Sequence, residues 1–338
     1  VIIVLKLNPT FEEVDEVERH VRELGYEPHT LRGEVRTVIA CIGDETGHRD
    51  LQALLHLKQV REVMPIQKKY KLINREIHPE PMSVSIGGYR FGPGLFEVIA
   101  GPCAVESYEQ CLSTAKAVRS SGAKLLRGGA FKPRTSPYDF QGLGQEGLEI
   151  LAAVKQETGM PIVTELVSER DCEAVSAVAD VLQIGARNAL NYALLTEAAK
   201  SGKAILLKRG LSATVQEWLL AAEYIAKQGN ANILLCERGI RTYETATRNT
   251  LDLGAVAYVK QETGLPVIVD PSHAAGRRDL VGPLAKAAVA VGADGLIVEV
   301  HPDPEHALSD QAQQLTFDDF EQFMNDLAPY VRIARSLD

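Results

Sequence analysis

Short apolar runs along this chain each deliver residues able to do chemistry at or just past their ends: Cys103, then Arg127 and Lys132, then Glu165, Arg187, Lys208, Glu237 with Arg238, Asp270 with His273, and Glu299. Taken singly, such a residue reads more readily as part of a solvated loop than as a catalyst. Agreement along eight runs says more. Arg127, Lys132, Arg187, Lys208 and Arg238 are cations in a chain of net charge −9. Brought to one mouth they would repel one another unless an anion sat among them. The implied ligand is multiply anionic, with carboxylate or phosphate oxygens that match Arg forks. Cys103, His273 and Glu299 combine soft, borderline and hard donors, which suits Mn, Fe, Co, Cu or Zn better than Mg or Ca. Asp310, in Leu308-Ser309-Asp310, offers a fourth donor. Alone, Cys103 reads more readily as a buried small hydrophobe and His273 as a capping or core histidine; their coincidence with Glu299 on adjacent strands reverses that reading. Lys132-Pro133-Arg134-Thr135-Ser136 is a stiffened loop whose Arg and hydroxyls suit a second phosphate or a sugar, or else an ordinary basic loop.

Positioning these residues requires parallel strands. The runs are 96–103, 124–131, 161–167, 181–187, 204–210, 233–239, 266–273 and 295–301, and amphipathic stretches such as 107–121, 215–228 and 284–291 supply the crossovers. Residues 84–338, opening with a small hairpin at 84–91, match the roughly 250 residues of a (β/α)8 TIM barrel. In such a barrel the first, seventh and eighth strands are neighbours, so Cys103, His273 and Glu299 converge. A doubly wound sheet is the runner-up, but no GxGxxG follows the first run. Ahead of the barrel, residues 1–66 alternate strand-like and helical patterns. Val1 to Leu5 is followed by Phe11, Val14, Val17, Val21 and Leu24 at helical spacing. Strand-like runs follow at 28–31 and 35–41 around an Arg32-Gly33-Glu34 turn, then an apolar-periodic segment at Leu51, Leu54, Leu55 and Leu57, and a last run at 60–66. The order β-α-β-β-α-β predicts an α+β ferredoxin-like domain. Residues 67–83, polar and basic and then rich in proline, read as a linker.

Composition bounds the function. At 338 residues, with 45% hydrophobic and 24% charged residues, two globular domains are expected. No apolar stretch reaches membrane-spanning length and no secretory signal opens the chain, so the expectation is a cytoplasmic protein with no membrane partner. Five cysteines without a CxxC pair argue against a disulfide framework. Net acidity argues against nucleic acid as partner.

Gly101-Pro102-Cys103, Leu126-Arg127-Gly128-Gly129, Lys132-Pro133-Arg134-Thr135-Ser136, Ile184-Gly185-Ala186-Arg187, Leu207-Lys208-Arg209-Gly210, Cys236-Glu237-Arg238-Gly239, Asp270-Pro271-Ser272-His273 and Val298-Glu299-Val300-His301 together resemble the 3-deoxy-D-arabino-heptulosonate 7-phosphate (DAHP) synthase family, type I beta. The front module resembles the ACT-like regulatory domain that some members carry. The resemblance implies a transferase of the shikimate pathway that condenses phosphoenolpyruvate with erythrose 4-phosphate on a divalent metal ion. It makes Cys103, His273, Glu299 and Asp310 metal ligands. Arg127, Lys132, Ala186, Arg187, Lys208 and Arg238 would hold phosphoenolpyruvate, and Arg134, Thr135 and Ser136 would meet erythrose 4-phosphate. Asp270 would assist at the aldehyde, and Glu165 and Lys132 would manage the proton when water adds and phosphate leaves.

A rival is the synthase of 3-deoxy-octulosonate 8-phosphate, which takes arabinose 5-phosphate; that family resembles Ala-Asn-Arg-Ser-Ser where this chain has Lys132 to Ser136. A degenerate barrel carrying a metabolite sensor is the reading from another class. Departures from the family pattern are Ala104 after Cys103 and Ala274-Ala275 after His273, where Ser and Ser-Gly are usual. The resemblance further implies feedback inhibition by tyrosine or phenylalanine, with His29 as an effector contact, and a homotetramer. Residues 1–66 acting merely as an oligomerisation cap is the alternative.

Overall fold

The computed structural model describes residues 1–32, 37–43, 50–64, 69–76, 79–134 and 136–336. The chain divides into two compact units, Val1–Glu80 and Pro81–Asp338.

The first unit is ferredoxin-like. Strands β1 (Ile2–Leu5), β2 (Glu27–Arg32), β3 (Thr37–Ile42) and β4 (Val60–Met64) form an antiparallel sheet in the order β2-β3-β1-β4. Helix α1 (Phe11–Glu23) starts at a capping box between Thr10 and Glu13, which satisfies two main-chain donors at once. It buries Val14, Val17 and Val21 in one core with Ile3, Ile39 and Val63. The second helix expected from the leucine spacing is instead a short 3-10 helix, Leu51–His56. Its buried residues are Leu51 and Leu54, the i and i+3 pair that a three-residue turn superposes, while Leu55 is exposed. Gly33 and Glu34 of the expected turn, and Val35 and Arg36 of the run after it, lie outside the described residues. In the segment read as a linker, Tyr70, Leu72 and Ile73 are buried.

The second unit begins with a hairpin, β5 (Val84–Ile86) and β6 (Tyr89–Phe91). Eight parallel strands then close into a barrel: β7 (Glu97–Gly101), β8 (Leu125–Arg127), β9 (Ile162–Glu165), β10 (Val181–Ile184), β11 (Ala204–Lys208), β12 (Ile233–Glu237), β13 (Val267–Val269) and β14 (Gly295–Glu299). The crossovers are helices α2 (Tyr108–Ser120), α3 (Gln145–Thr158), α4 (Cys172–Val178), α5 (Tyr192–Lys200), α6 (Val215–Lys227), α7 (Leu253–Glu262), and the pair α8 (Pro271–Ala275) and α9 (Arg278–Ala290); α10 (Phe317–Arg335) follows the last strand. Val84, Ile86 and Phe91 of the hairpin share a core with Ile99, Leu125, Val163 and Leu206 of the strands. They cover the N-terminal mouth, where Gly87 abuts Pro161 so closely that a methyl group would stand 2.2 Å from the ring.

Each strand stops short of its apolar run. The run continues because residues beyond the last strand position, such as Cys103 and Val300, are still buried in the opposite mouth. Gly101 marks the transition: its φ is +154°, and a Cβ there would stand 2.1 Å from the Arg127 carbonyl oxygen. Gly101→Ala is expected to cost about 2 to 3 kcal/mol, as overpacking against main chain does, read as a lowered urea midpoint. An unchanged midpoint would refute the close approach. Among the described residues, no helix is long and apolar enough to cross a membrane.

Candidate active site

Arg127, Glu165, Lys208 and Glu299 are the last residues of β8, β9, β11 and β14. Cys103, Lys132, Arg187, Arg238 and Asp270 lie beyond their strands, and His273 lies in α8. Barrel register sets Glu299 opposite Gly101, two residues before Cys103. One donor atom each of Cys103, Glu299 and Asp310 therefore falls within 4.8 Å of the others. His273 Nε2 adjoins them, 3.4 Å from Glu299 Oε1 and 3.7 Å from Asp310 Oδ2. Bonds of about 2.0–2.3 Å to one ion separate neighbouring donors by about 3 to 4 Å, so this set fits a divalent transition metal.

Asp270 aims the imidazole. Its Oδ2 lies 2.8 Å from His273 Nδ1 and 2.6 Å from Lys208 Nζ, while Oδ1 accepts the His273 backbone N–H as the cap of α8. With Nδ1 beside a carboxylate, Nε2 keeps its lone pair for the donor cluster. Burial alone would raise Asp270, but His273 and Lys208 overcome it and hold the carboxyl well below its usual range. Burial also lowers His273 against the pull of Asp270 and Glu299, favouring the neutral ring that a metal requires. Glu299 and Asp310 are likewise lowered despite burial, chiefly by His273, helped by Arg127 and Arg248 respectively. Burial, reinforced by Glu299, pushes the Cys103 thiol up to about 12, so it needs a bound cation to become a thiolate at neutral pH.

Beside these donors, Arg127, Lys132, Arg187, Lys208 and Arg238 line one narrow pocket together with Glu165, Ala186 and Arg134. Arg127 is braced by Glu299 Oε1 at 2.6 Å and the Cys103 carbonyl at 3.2 Å. Its Nε is buried without a hydrogen-bond partner among the described residues, a donor that an anionic ligand would satisfy. Lys132 Nζ reaches the Cys103 carbonyl at 3.1 Å and Sγ at 3.2 Å. Burial lowers Lys132, yet Cys103 and Glu165 outweigh it and keep the ammonium above its ordinary value. Glu165 lies flat on main chain because residue 185 is glycine: a Cβ there would stand 2.0 Å from Glu165 Oε1. A cleft of about 750 Å³ opens alongside and shares Arg134, Arg248 and Asp310 with the pocket. The mouth thus offers an anion pocket, a donor cluster and a polar cleft in succession.

Other expected residues stand elsewhere. Ser136 accepts from the Tyr138 backbone N–H within its own loop, and Thr135 lies outside the described residues. His29 belongs to the first unit, on β2, with its Nε2 3.5 Å from Glu27. Glu237 is occupied by Arg209 at 3.0 Å and the Gly239 N–H at 2.7 Å, so it supports the mouth from below. Sequence reasoning missed Arg248, Gln183 and Gln313. Arg248 sits in the long segment between β12 and α7, Gln313 ends a short 3-10 helix, Gln311–Gln313, and Gln183, which lines the pocket, sits one residue before the end of β10.

The DAHP synthetase I family model matches residues 79–332, and the DAHP synthase ferredoxin-like domain model matches residues 1–68. A phospho-2-dehydro-3-deoxyheptonate aldolase of Thermotoga maritima is 49% identical over 326 residues, covering 96% of each chain. A 2-dehydro-3-deoxyphosphooctonate aldolase of Magnetococcus marinus is 35% identical and covers 75% of this chain and 94% of its own. The crystal structure of a DAHP synthase from Thermotoga maritima superposes with a TM-score of 0.78 at 48% identity, covering 99% of this chain and 97% of that one. An eight-stranded barrel with this mouth, behind this ferredoxin-like unit, thus belongs to the DAHP synthetase I family.

Proposed function

We propose that this transferase condenses phosphoenolpyruvate with erythrose 4-phosphate and water, giving DAHP and inorganic phosphate, and that it depends on a divalent metal ion. The observation that carries the reading is the anion pocket abutting a four-donor cluster at one barrel mouth. Cys103, His273, Glu299 and Asp310 would hold the ion. Bound there, a divalent ion supplies Lewis acidity to the aldehyde oxygen of erythrose 4-phosphate.

The chain's own residues supply the rest. Arg127, Lys132, Arg187, Lys208 and Arg238 bind the phosphate and carboxylate of phosphoenolpyruvate and orient its C3 toward the aldehyde carbon. As the new C–C bond forms, positive charge develops at C2. Glu165 takes the proton of the water that adds there, and the Lys132 ammonium delivers a proton to an oxygen that becomes negative. The cations then stabilise phosphate as it leaves. Asp270 works through His273 and Lys208 and is a positioning residue. Arg134 receives the sugar phosphate in the adjoining cleft.

The octulosonate reading has its support in the relatives at 35% identity. Against it stands Lys132-Pro133-Arg134 in the second loop. Chelator-stripped protein resupplied with Mn²⁺ is expected to release phosphate with erythrose 4-phosphate and not with arabinose 5-phosphate. The reverse preference would overturn the assignment.

The ferredoxin-like unit, with its own apolar core, supports a regulatory role in which tyrosine or phenylalanine binds near His29. Removing residues 1–66 is expected to leave turnover intact and abolish inhibition by the amino acid. Inhibition that survives truncation would move the effector site to the barrel.

A further inference from the structure

We infer that Gln313, braced by Arg248, is a positioning residue that sets which oxygens Glu299 and Asp310 present to the metal ion. The inference rests on the metal-site reading above and adds to it. Gln313 Nε2 donates to Glu299 Oε2 at 2.5 Å. Its Oε1 accepts from Arg248 Nη1 at 2.8 Å, and the same nitrogen donates to Asp310 Oδ1 at 3.0 Å. Each carboxylate thus has one oxygen engaged by this pair, while Glu299 Oε1 is also held by Arg127 Nη1 at 2.6 Å. The oxygens that face His273 are the other two, Oε1 of Glu299 and Oδ2 of Asp310.

The geometry leaves the brace little freedom. Gln313 is buried with both ends of its amide used, so its orientation is fixed. Main-chain bonds from Leu315 N to Glu299 O and from His301 N to Leu315 O pin the segment beside the end of β14. Arg248 is placed from the other side, because its backbone N–H donates to Ala275 O, and the Asn249 side chain donates to His273 O. Gly276 admits it closely: a Cβ there would stand 2.4 Å from Arg248 Cβ. Asp310 itself has a φ of +51°, a conformation costly for a non-glycine residue and kept where surroundings over-determine it. The brace therefore ties the loop carrying Asp310, the end of β14 and the helix carrying His273 into one frame. Outer partners of this kind fix ligand orientation and affinity without touching the ion.

The test uses the full-length chain, stripped by chelator and titrated with Mn²⁺, free ion being read by electron paramagnetic resonance. Gln313→Met keeps length and removes both polar ends; Arg248→Met removes the one nitrogen that donates to both Gln313 and Asp310. Each is expected to weaken Mn²⁺ binding about 10- to 100-fold and to alter the Co²⁺ absorption bands, with the metal-free melting curve still cooperative. Combining Gln313→Met with Arg248→Met should cost less than the two single effects together, since they act as a unit. Should Gln313→Met fail to fold, Arg248→Met decides. Affinity within threefold of the parent, or full additivity, would overturn the brace. A parent chain that binds no Mn²⁺ would instead overturn the metal site itself.

Discussion

His273→Ala will leave a folded chain whose Mn²⁺-restored turnover is about 10³-fold below the parent. The fold survives because the main-chain cap from His273 N to Asp270 does not involve the ring. Each carboxylate beside the ring also keeps a cation, Asp270 through Lys208 at 2.6 Å and Glu299 through Arg127 at 2.6 Å. What is lost is the nitrogen donor of the cluster. Lewis-acid activation is worth several kcal/mol in the transition state, and about 1.4 kcal/mol is a factor of ten. Cys103→Ser is the informative companion, since it keeps the volume and replaces a soft donor by a hard one. It should discriminate against Zn²⁺ and Cu²⁺ more than against Mn²⁺. Turnover after chelation and stepwise metal return, beside a thermal melt, measures both. Full metal-dependent turnover by His273→Ala would refute the ligand assignment.

What the sequence made legible follows from where periodicity and position coincide. Glu299 and Lys208 are last residues of buried strands, so a continuous apolar run that simply stops marks them. Cys103 is legible for a different reason: the mouth is buried, so the apolar run carries on past the strand and ends on it. The same burial makes the apolar runs outlast the strands. Leu51 and Leu54 illustrate a second confusion, because i and i+3 burial is common to a short 3-10 helix and an α-helix, and only length separates them. Arg248 and Gln313 reach the site through loop paths fixed by main-chain bonds to Ala275 and near Glu299. Such bonds leave no periodic trace. Ser136 lies in the expected loop, where its hydroxyl oxygen accepts from the Tyr138 backbone N–H.

Arg238→Met will raise KM for phosphoenolpyruvate about 30-fold or more without lowering the melting temperature of the ligand-free chain. Truncating one side of a buried charged contact costs about 2 to 5 kcal/mol, which at about 1.4 kcal/mol per decade spans that range. Stability should behave differently. Burial lowers Arg238 in the folded state against the pull of Asp270, so the charged guanidinium is disfavoured by folding. Its Nη1 reaches the Gly239 carbonyl only at 3.4 Å. Replacing it by an apolar chain of similar length removes that penalty. Arg127→Met is the opposite case, because it strands a fully buried Glu299 carboxylate 2.6 Å from a lost partner. That variant should lose about 3 to 5 kcal/mol of stability along with its activity. The comparison separates a cation kept for the substrate from one that also holds the barrel mouth together. Phosphoenolpyruvate should raise the melting temperature of the parent chain and leave that of Arg238→Met nearly unmoved. If Arg238→Met instead melted earlier and kept its KM, Arg238 would be a structural residue and the anion pocket would have to be redrawn without it.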